Sequence, residues 1–407
     1  MANALRPEIN EKTMTMPSIV KHVQTLREHF KDLPPEHGNT TLTEENTFII
    51  LAAAFFEPLA QSHRCIEQLA QATGVKEHLG GVEVPRSTLS DAMKRFRVDH
   101  LRPLVKKLSD KLPALQQANP DLAQVAKKII AGDGSMFRLA GEVVWAIQRV
   151  KNKAGKIDSQ VRLDLQVDIR RWTIEDFAVS GKADGGEPAV MAKMLQPNVV
   201  YLFDRAYYPF EFLGKILEIG SDFVVRLKKD LTFRPQFSST LSQKDIEAGV
   251  LSDQVGFLGV ENGCKGKAPE RLLRLVIVWD EKNQTEVRLL TTLMDVEAWV
   301  IGQLYRSRWV IELFLRWLKV TVGFKHLLSE SSNGITLQFY VAMVCTMLIH
   351  IRTGLPVSKY SLVALALVGQ GRSSYEAQLP ILLKRERERY LERARLARKK
   401  ASKNQNA

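Results

Sequence analysis

The chain has 407 residues, of which 45% are hydrophobic and 25% charged, and it carries a net charge of +13. That length allows two or three domains with buried cores, and the composition excludes a disordered or fibrous chain. The positive surplus favours polyanionic partners, nucleic acid first among them, although plain solubility accounts for such a charge too.

Cys65, Cys264 and Cys345 stand far apart with no CxxC pair. This argues against structural zinc and a disulfide framework and fits a reducing compartment. No basic-then-apolar signal pattern opens the chain. The most apolar late stretch, residues 339–351, is shorter than a bilayer span requires. A cytoplasmic protein is expected, associated with the nucleoid if its partner is DNA.

Residues 1–120 read as helical. Ile19, Val23, Leu26 and Phe30 recur at helical spacing, and Pro34 and Pro35 close that segment. Thr41 with Glu44 suggests a capping box ahead of the apolar run 48–56. A short helix over 62–70, a turn at Thr73-Gly74 and a helix over 87–96 follow, with Arg86, Lys94, Arg95 and Arg97 on the last. Two short helices with a basic second member fit a helix-turn-helix. An ordinary bundle with solvated charges fits equally, because the intervening segment is long for that motif.

From residue 127 the pattern turns to strands. Ile129-Ile130 leads into Gly132-Asp133-Gly134, and 143–150, 161–169 and 172–179 read as further strands. A helix over 188–195, a strand over 199–203, a helix over 210–219 and a strand over 223–227 follow. Strands in series, then alternating with helices, indicate a mixed sheet flanked by helices. Residues 230–295 are rich in glycine and short β runs, with a hairpin turn at 281–284. A long helix over 296–322 and an apolar helical segment come next. Residues 384–403 hold ten Lys/Arg and three Glu, so this tail supplies +7 of the +13. It reads as a solvated helix, or one that grips phosphates.

Two carboxylates occupy telling places. Asp204 ends the apolar run 199–203, and ligands gather at the carboxyl ends of such strands in open α/β sheets. Asp133 lies between two glycines that leave room for close approach. Either alone is weak, since an Asp at a strand end commonly forms a turn. The long helix is more specific. Tyr305, Arg308, Glu312 and Lys319 fall within an arc of roughly 60° at about 100° per residue, a narrow polar stripe on an otherwise apolar helix. Burying such a stripe is costly without partners or substrate. The competing reading is a run of helix-stabilising ion pairs, which Arg308 and Glu312 fit but Tyr305 and Lys319 do not need.

Tyr-x2-Arg-x3-Glu-x6-Lys, matched at Tyr305, Arg308, Glu312 and Lys319, resembles the signature of the IS-four family of DDE insertion-sequence transposases. Asp204-Arg205-Ala206-Tyr207 resembles that family's second motif and Asp133 in Ala-Gly-Asp-Gly-Ser its first. Phe223 to Lys228 and Arg86 to Ser90 are similar too, and the likeness covers residues 45–345. The resemblance implies a ribonuclease H-like catalytic domain with a β-rich insertion. The expected organisation is a helical DNA-binding region over 1–120, a catalytic domain over 121–229 and 296–350, the insertion over 230–295, and a helical region with the basic tail over 351–407. It further implies that Asp133, Asp204 and Glu312 are catalytic and hold two Mg²⁺ ions, for which Mn²⁺ can substitute. Tyr305, Arg308, Lys319 and Arg205 would contact the DNA of transposon ends and target, on which a homodimer would assemble. Some members stabilise a flipped base with a Trp; Trp279 and Trp299 are candidates, though core packing suits both. Two other readings remain at this point: a ribonuclease H-like nuclease without strand transfer, and a DNA-binding regulator whose carboxylates are structural.

Overall fold

The computed structural model describes residues 20–57, 60–112, 120–139, 143–151, 155, 157–259, 269–320, 327–354, 358–369 and 372–404. Its two units are Met1–Leu108 with Leu337–Ala407, and Ser109–Thr336. Ile19, Cys264 and the end of the expected helix over 296–322 lie outside the described residues.

The first unit begins with α1 (Val20–Lys31), α2 (Glu44–Phe56), α3 (His63–Ala70), α4 (Thr73–His78) and α5 (Arg86–Arg95), and α6 (Leu101–Lys111) follows. The Phe30 ring of α1 meets Phe48 of α2 and Phe96 beyond α5, a contact that buries large apolar area. The cap of α2 is Thr43 rather than Thr41: its hydroxyl accepts from Asn46 N at 3.1 Å. Glu44 is therefore no capping-box partner of Thr41. Its buried carboxylate accepts from Arg97 N and Nε and meets His100 Nδ1 at 2.9 Å. These contacts hold its proton affinity below the usual range despite burial. Nor do Thr73-Gly74 form an isolated turn, because α4 starts there.

The second unit is built on one sheet. Its strands are β1 (Lys128–Leu139), β2 (Gln148–Lys151), β3 (Ile157–Asp168), β4 (Thr173–Ser180), β5 (Val199–Phe203), β6 (Asp222–Arg226), β7 (Phe233–Ser238), β8 (Val250–Leu258), β9 (Leu273–Asp280) and β10 (Thr285–Thr291). Helices α7 (Glu187–Met191), α8 (Phe210–Glu218), α9 (Gln243–Glu247), α10 (Ala298–Ser307) and α11 (Trp309–Val320) interleave with or follow them. The order is β2-β3-β1-β5-β6-β10-β9-β8-β7, with β4 also on β3. Among the described strands only β1–β5 and β5–β6 are parallel, so the sheet is mixed. β7 to β10 extend it through the β10–β6 pairing, and the β9–β10 hairpin turns where expected.

Residues 143–147 do not continue a strand: Val144 is 81% exposed in a turn, and β2 begins only at Gln148. β3 is apolar at Val161, Leu163, Leu165 and Val167, yet Arg162, Asp164 and Gln166 on its other face are buried as well. Both faces of the sheet centre are covered. The central apolar cluster packs Tyr201, Phe203, Phe210, Phe212 and Phe223 around α8, with Phe203 stacked on Tyr207 at 4.6 Å between ring centres.

The chain closes with α12 (Ser332–Thr353), α13 (Lys359–Gly369) and α14 (Tyr375–Asn404). α12 is longer than the apolar stretch suggested: its 22 residues are long and apolar enough to cross a membrane. However, 83% of its apolar window is buried within the protein, as in a core helix. The basic tail is helical through Asn404.

Candidate active site

β1 and β5 run parallel, pairing Ala131 with Leu202. Two residues on, the same register brings Asp133 level with Asp204, which follows the last residue of β5. Past Ala131 the β5 edge of β1 is unpaired, while its other edge continues with β3 as far as Leu139. Asp133 thus stands inside a long strand at the place where a neighbour ends, and ligands reach parallel sheets at such ends. Asp204 opens a short 3₁₀ turn and accepts from Ala206 N at 2.7 Å.

Glu312 comes from α11. The expected single helix is two, meeting at Arg308, where Arg308 N donates to the Tyr305 carbonyl and Ile311 N to the Arg308 carbonyl. These three-residue spans tighten the turn. Arg308 keeps right-handed helical angles, φ −52° and ψ −27°, so the polar stripe carries across the break. Ile311, Leu315 and Leu318 of α11 are buried, anchoring the helix.

The Arg308 guanidinium joins two of the carboxylates. It lies 2.7 Å from Glu312 Oε1 and 3.6 Å from Asp133 Oδ2. Burial opposes its charge, but Tyr305, Asp133, Glu312 and Asp204 more than offset that and strengthen its hold on the proton. Asp133 shows the opposite imbalance. Burial, reinforced by the charges of Asp204 and Glu187, pushes its carboxyl up to about 7 despite Arg308 and the Gly134 N–H. One guanidinium does not balance this set of acids.

Lys319 donates to Ser135 Oγ at 2.7 Å and lies 4.9 Å above the Phe137 ring. Burial lowers its proton affinity, against the pull of Asp133. The Arg308 guanidinium is 5.8 Å from the centre of the Tyr305 ring. Burial raises the Tyr305 phenol's proton affinity while Arg308 and a hydrogen bond with Arg226 oppose it. Arg205 is exposed on the turn after Asp204. Tyr305, Arg308, Glu312 and Lys319 therefore gather with Asp133 and Asp204, and Arg205 lies at the rim. Trp299 is half-buried, its indole donating to Glu297 at 2.8 Å. By contrast Trp309, beside Arg308, is 45% exposed.

The glycines flanking Asp133 do not open space for a ligand. A Cβ at Gly132 would strike the Phe203 ring, and one at Gly134 would stand 2.9 Å from Glu187 Cδ and 3.1 Å from Arg162 Cδ. They admit protein side chains on the face opposite α11. There Arg162 Nε binds Asp164 at 2.7 Å, and Ser180 donates to the same carboxylate. Sequence reasoning missed this layer, including Glu187 and Tyr207. Its one signal was Arg162, Asp164 and Gln166 alternating with the apolar residues of β3, and alternation by itself does not show that they are buried. Ser135 and Arg226, which hold Lys319 and Tyr305, were missed too.

Among the described residues no three carboxylate, imidazole or thiol side chains form a ready-made metal cage. Arg308 spans the gap between Asp133 and Glu312 instead.

The family of the transposase DDE domain matches residues 125–348, more than half of the chain. A probable transposase for insertion sequence element IS5377 from Geobacillus stearothermophilus is 26% identical over 182 residues, covering 45% of this chain and 46% of that protein. A putative transposase, y4zB, of Sinorhizobium fredii (strain NBRC 101917 / NGR234) is 24% identical over 172 residues, covering 41% and 48%. The chain thus spans about half the length of the curated relatives it matches. The matched region contains Asp133, Asp204, Glu312 and the sheet that carries them, and the chain belongs to the DDE transposase family.

Proposed function

We propose that the protein is a transposase of the IS-four kind, which binds the ends of its element, cuts DNA at them and joins them to a target. The observation that carries this reading is the meeting of Asp133 and Glu312 at Arg308, with Asp204 beside Asp133. The sheet in this reading is ribonuclease H-like, residues 230–295 are its insertion, and the helices before it bind DNA.

The donor set suits hard divalent cations, Mg²⁺ first and Mn²⁺ as substitute: it is oxygen-only, and its negative charge exceeds what Arg308 balances. Asp133, Asp204 and Glu312 would hold two such ions. When bound, the ions supply Lewis-acid help to attack at phosphorus and to departure of the leaving oxygen. The chain's own groups do the rest. Arg308, with five donors in a planar fork, is suited to bind two oxygens of a phosphate. Tyr305 keeps that fork aligned, Lys319 adds a point charge positioned by Ser135, and Arg205 meets the backbone from the rim. The basic tail adds sequence-independent affinity. A dimer assembled on DNA would bring the two ends together in the cytoplasm.

The test uses DNA carrying the gene's own flanks, with Mg²⁺ or EDTA, for the wild type and Asp133→Asn. Mg²⁺-dependent cuts at the ends, absent in the variant, are expected. Scattered cuts would replace this reading with a plain nuclease, and binding without cutting in either protein with a regulator.

A further inference from the structure

The face of the sheet away from α11 holds a fourth acid. Glu187 begins α7 and packs its carboxyl directly behind Gly134, where even a methyl group would collide with it. Only the glycine-flanked backbone of β1 separates it from Asp133, and its charge is felt by Asp133 and Asp204 alike. Arg162, whose charge reaches Glu187, is committed to Asp164 at 2.7 Å and to the Gly185 carbonyl at 3.2 Å. No ion pair to Glu187 is made among the described residues. An acid left uncompensated beside two others costs stability.

Tyr207 is an independent sign that the cluster serves a ligand. Its ring is fully buried, stacked on Phe203, and its hydroxyl has no hydrogen-bond partner of good geometry. The hydroxyl nevertheless lies beside Glu187 and in the field of Asp164, Asp133 and Asp204. A buried hydroxyl whose nearest acceptor is an acid without an ion-pair partner, and which does not close a bond of good geometry to it, is uncommon and calls for a reason. Glu187 and Tyr207 share one: Glu187 stands behind the strand segment that carries Asp133, and Tyr207 lies beside Glu187 in the field of the same acids.

We propose that Glu187, steadied by Tyr207, is a positioning residue for divalent cations held by Asp133 and Asp204, adding negative charge from behind β1. This rests on the metal-site reading above.

The experiment is a Mn²⁺ titration of the full chain without DNA, following free Mn²⁺ by electron paramagnetic resonance. The proteins are the wild type, Asp133→Asn, Glu187→Gln, Glu187→Asp and Tyr207→Phe, with thermal unfolding in EDTA as control. Glu187→Gln should weaken Mn²⁺ binding about three- to tenfold, the order expected for one charge acting through a partly wet interior. Its unfolding temperature in EDTA should not fall, because a repulsive charge is removed. Glu187→Asp should recover part of the affinity, and Tyr207→Phe should lose less than Glu187→Gln. Wild-type affinity in Glu187→Gln overturns the proposal, as does weaker binding tracking a loss of fold while Glu187→Asp and Tyr207→Phe bind normally. If the wild type binds no Mn²⁺, or Asp133→Asn binds equally well, the metal-site reading fails and takes the proposal with it.

Discussion

Lys319 of α11 donates to Ser135 of β1 at 2.7 Å, two residues beyond Asp133 and on the same side of the strand. This bond ties the helix bearing Glu312 to the strand bearing Asp133. Replacing Lys319 by Met should lower the slope of log affinity against log salt by about one phosphate contact, roughly 0.9. Ser135→Ala keeps the charge and should leave that slope nearly intact while costing about 1 kcal/mol in urea unfolding. Equal slopes for wild type and Lys319→Met would remove Lys319 from the DNA interface.

Among the described residues Arg308 is the one ion-pair partner of Asp133 and Glu312, and its own side chain is only 12% exposed. Arg308→Ala should destabilise the metal-free protein at pH 8 by about 1–3 kcal/mol, below the range for a fully buried pair because Glu312 is 29% exposed. Mg²⁺ should then raise the unfolding temperature more in the variant than in the wild type, since the freed carboxylates gain a cation. A Mg²⁺ effect no larger than the wild type's would show that these acids do not share an ion.

Asp133 gives the site a pH dependence with a definite sign. Its carboxyl is raised from 3.8 to about 7 by burial and by neighbouring acids. A raised value means that the folded state binds the proton more tightly than the unfolded chain does. The associated stability is therefore full below about 4 and is lost as pH rises through about 7. Cation binding must displace that proton. Calorimetry in buffers of different ionisation enthalpy should record nearly one proton released per site at pH 6 and few at pH 8, with the pH 6 release absent in Asp133→Asn. Identical release at both values would contradict the shift.

Behind the site, Asp164 is fully buried and bound by Arg162 and Ser180. Asp164→Ala leaves the Arg162 charge buried with only a carbonyl, at a cost of about 3–5 kcal/mol. Chemical denaturation should show that loss at neutral pH; a change under about 1 kcal/mol would mean that the layer is wet rather than buried.

Gly132→Ala tests the close approach beside Asp133. The new methyl meets the Phe203 ring, which is itself stacked on Tyr201 and Tyr207 and has little room to move. Overpacking of this kind costs about 1–3 kcal/mol. Activity should fall further than stability alone explains, because the displaced strand carries Asp133. A variant as stable and active as wild type would show that Phe203 yields freely.

The sequence determined the local order of this protein. The apolar run at Val199–Phe203, short and rich in β-branched and aromatic residues, read as a covered strand and is β5. The stripe of Tyr305, Arg308, Glu312 and Lys319 marked one helical side because side-chain direction follows from spacing alone. Where a local signal had two solutions, the fold chose. Thr41 with Glu44 suggested a capping box, but Thr43 caps α2, and Glu44 is held by Arg97, 53 positions away. Residues 161–169 read as a strand without showing what lies on its polar face; α7 covers that face, and Arg162 and Asp164 are a buried pair. The glycines around Asp133 announced a close approach without saying of what. Only the tertiary structure decided that Phe203 and Glu187 fill those gaps and that Arg308 links Asp133 to Glu312. The physical reason is range: periodicity and capping act over a few residues, whereas burial, ion pairing and steric fit depend on which distant segments meet.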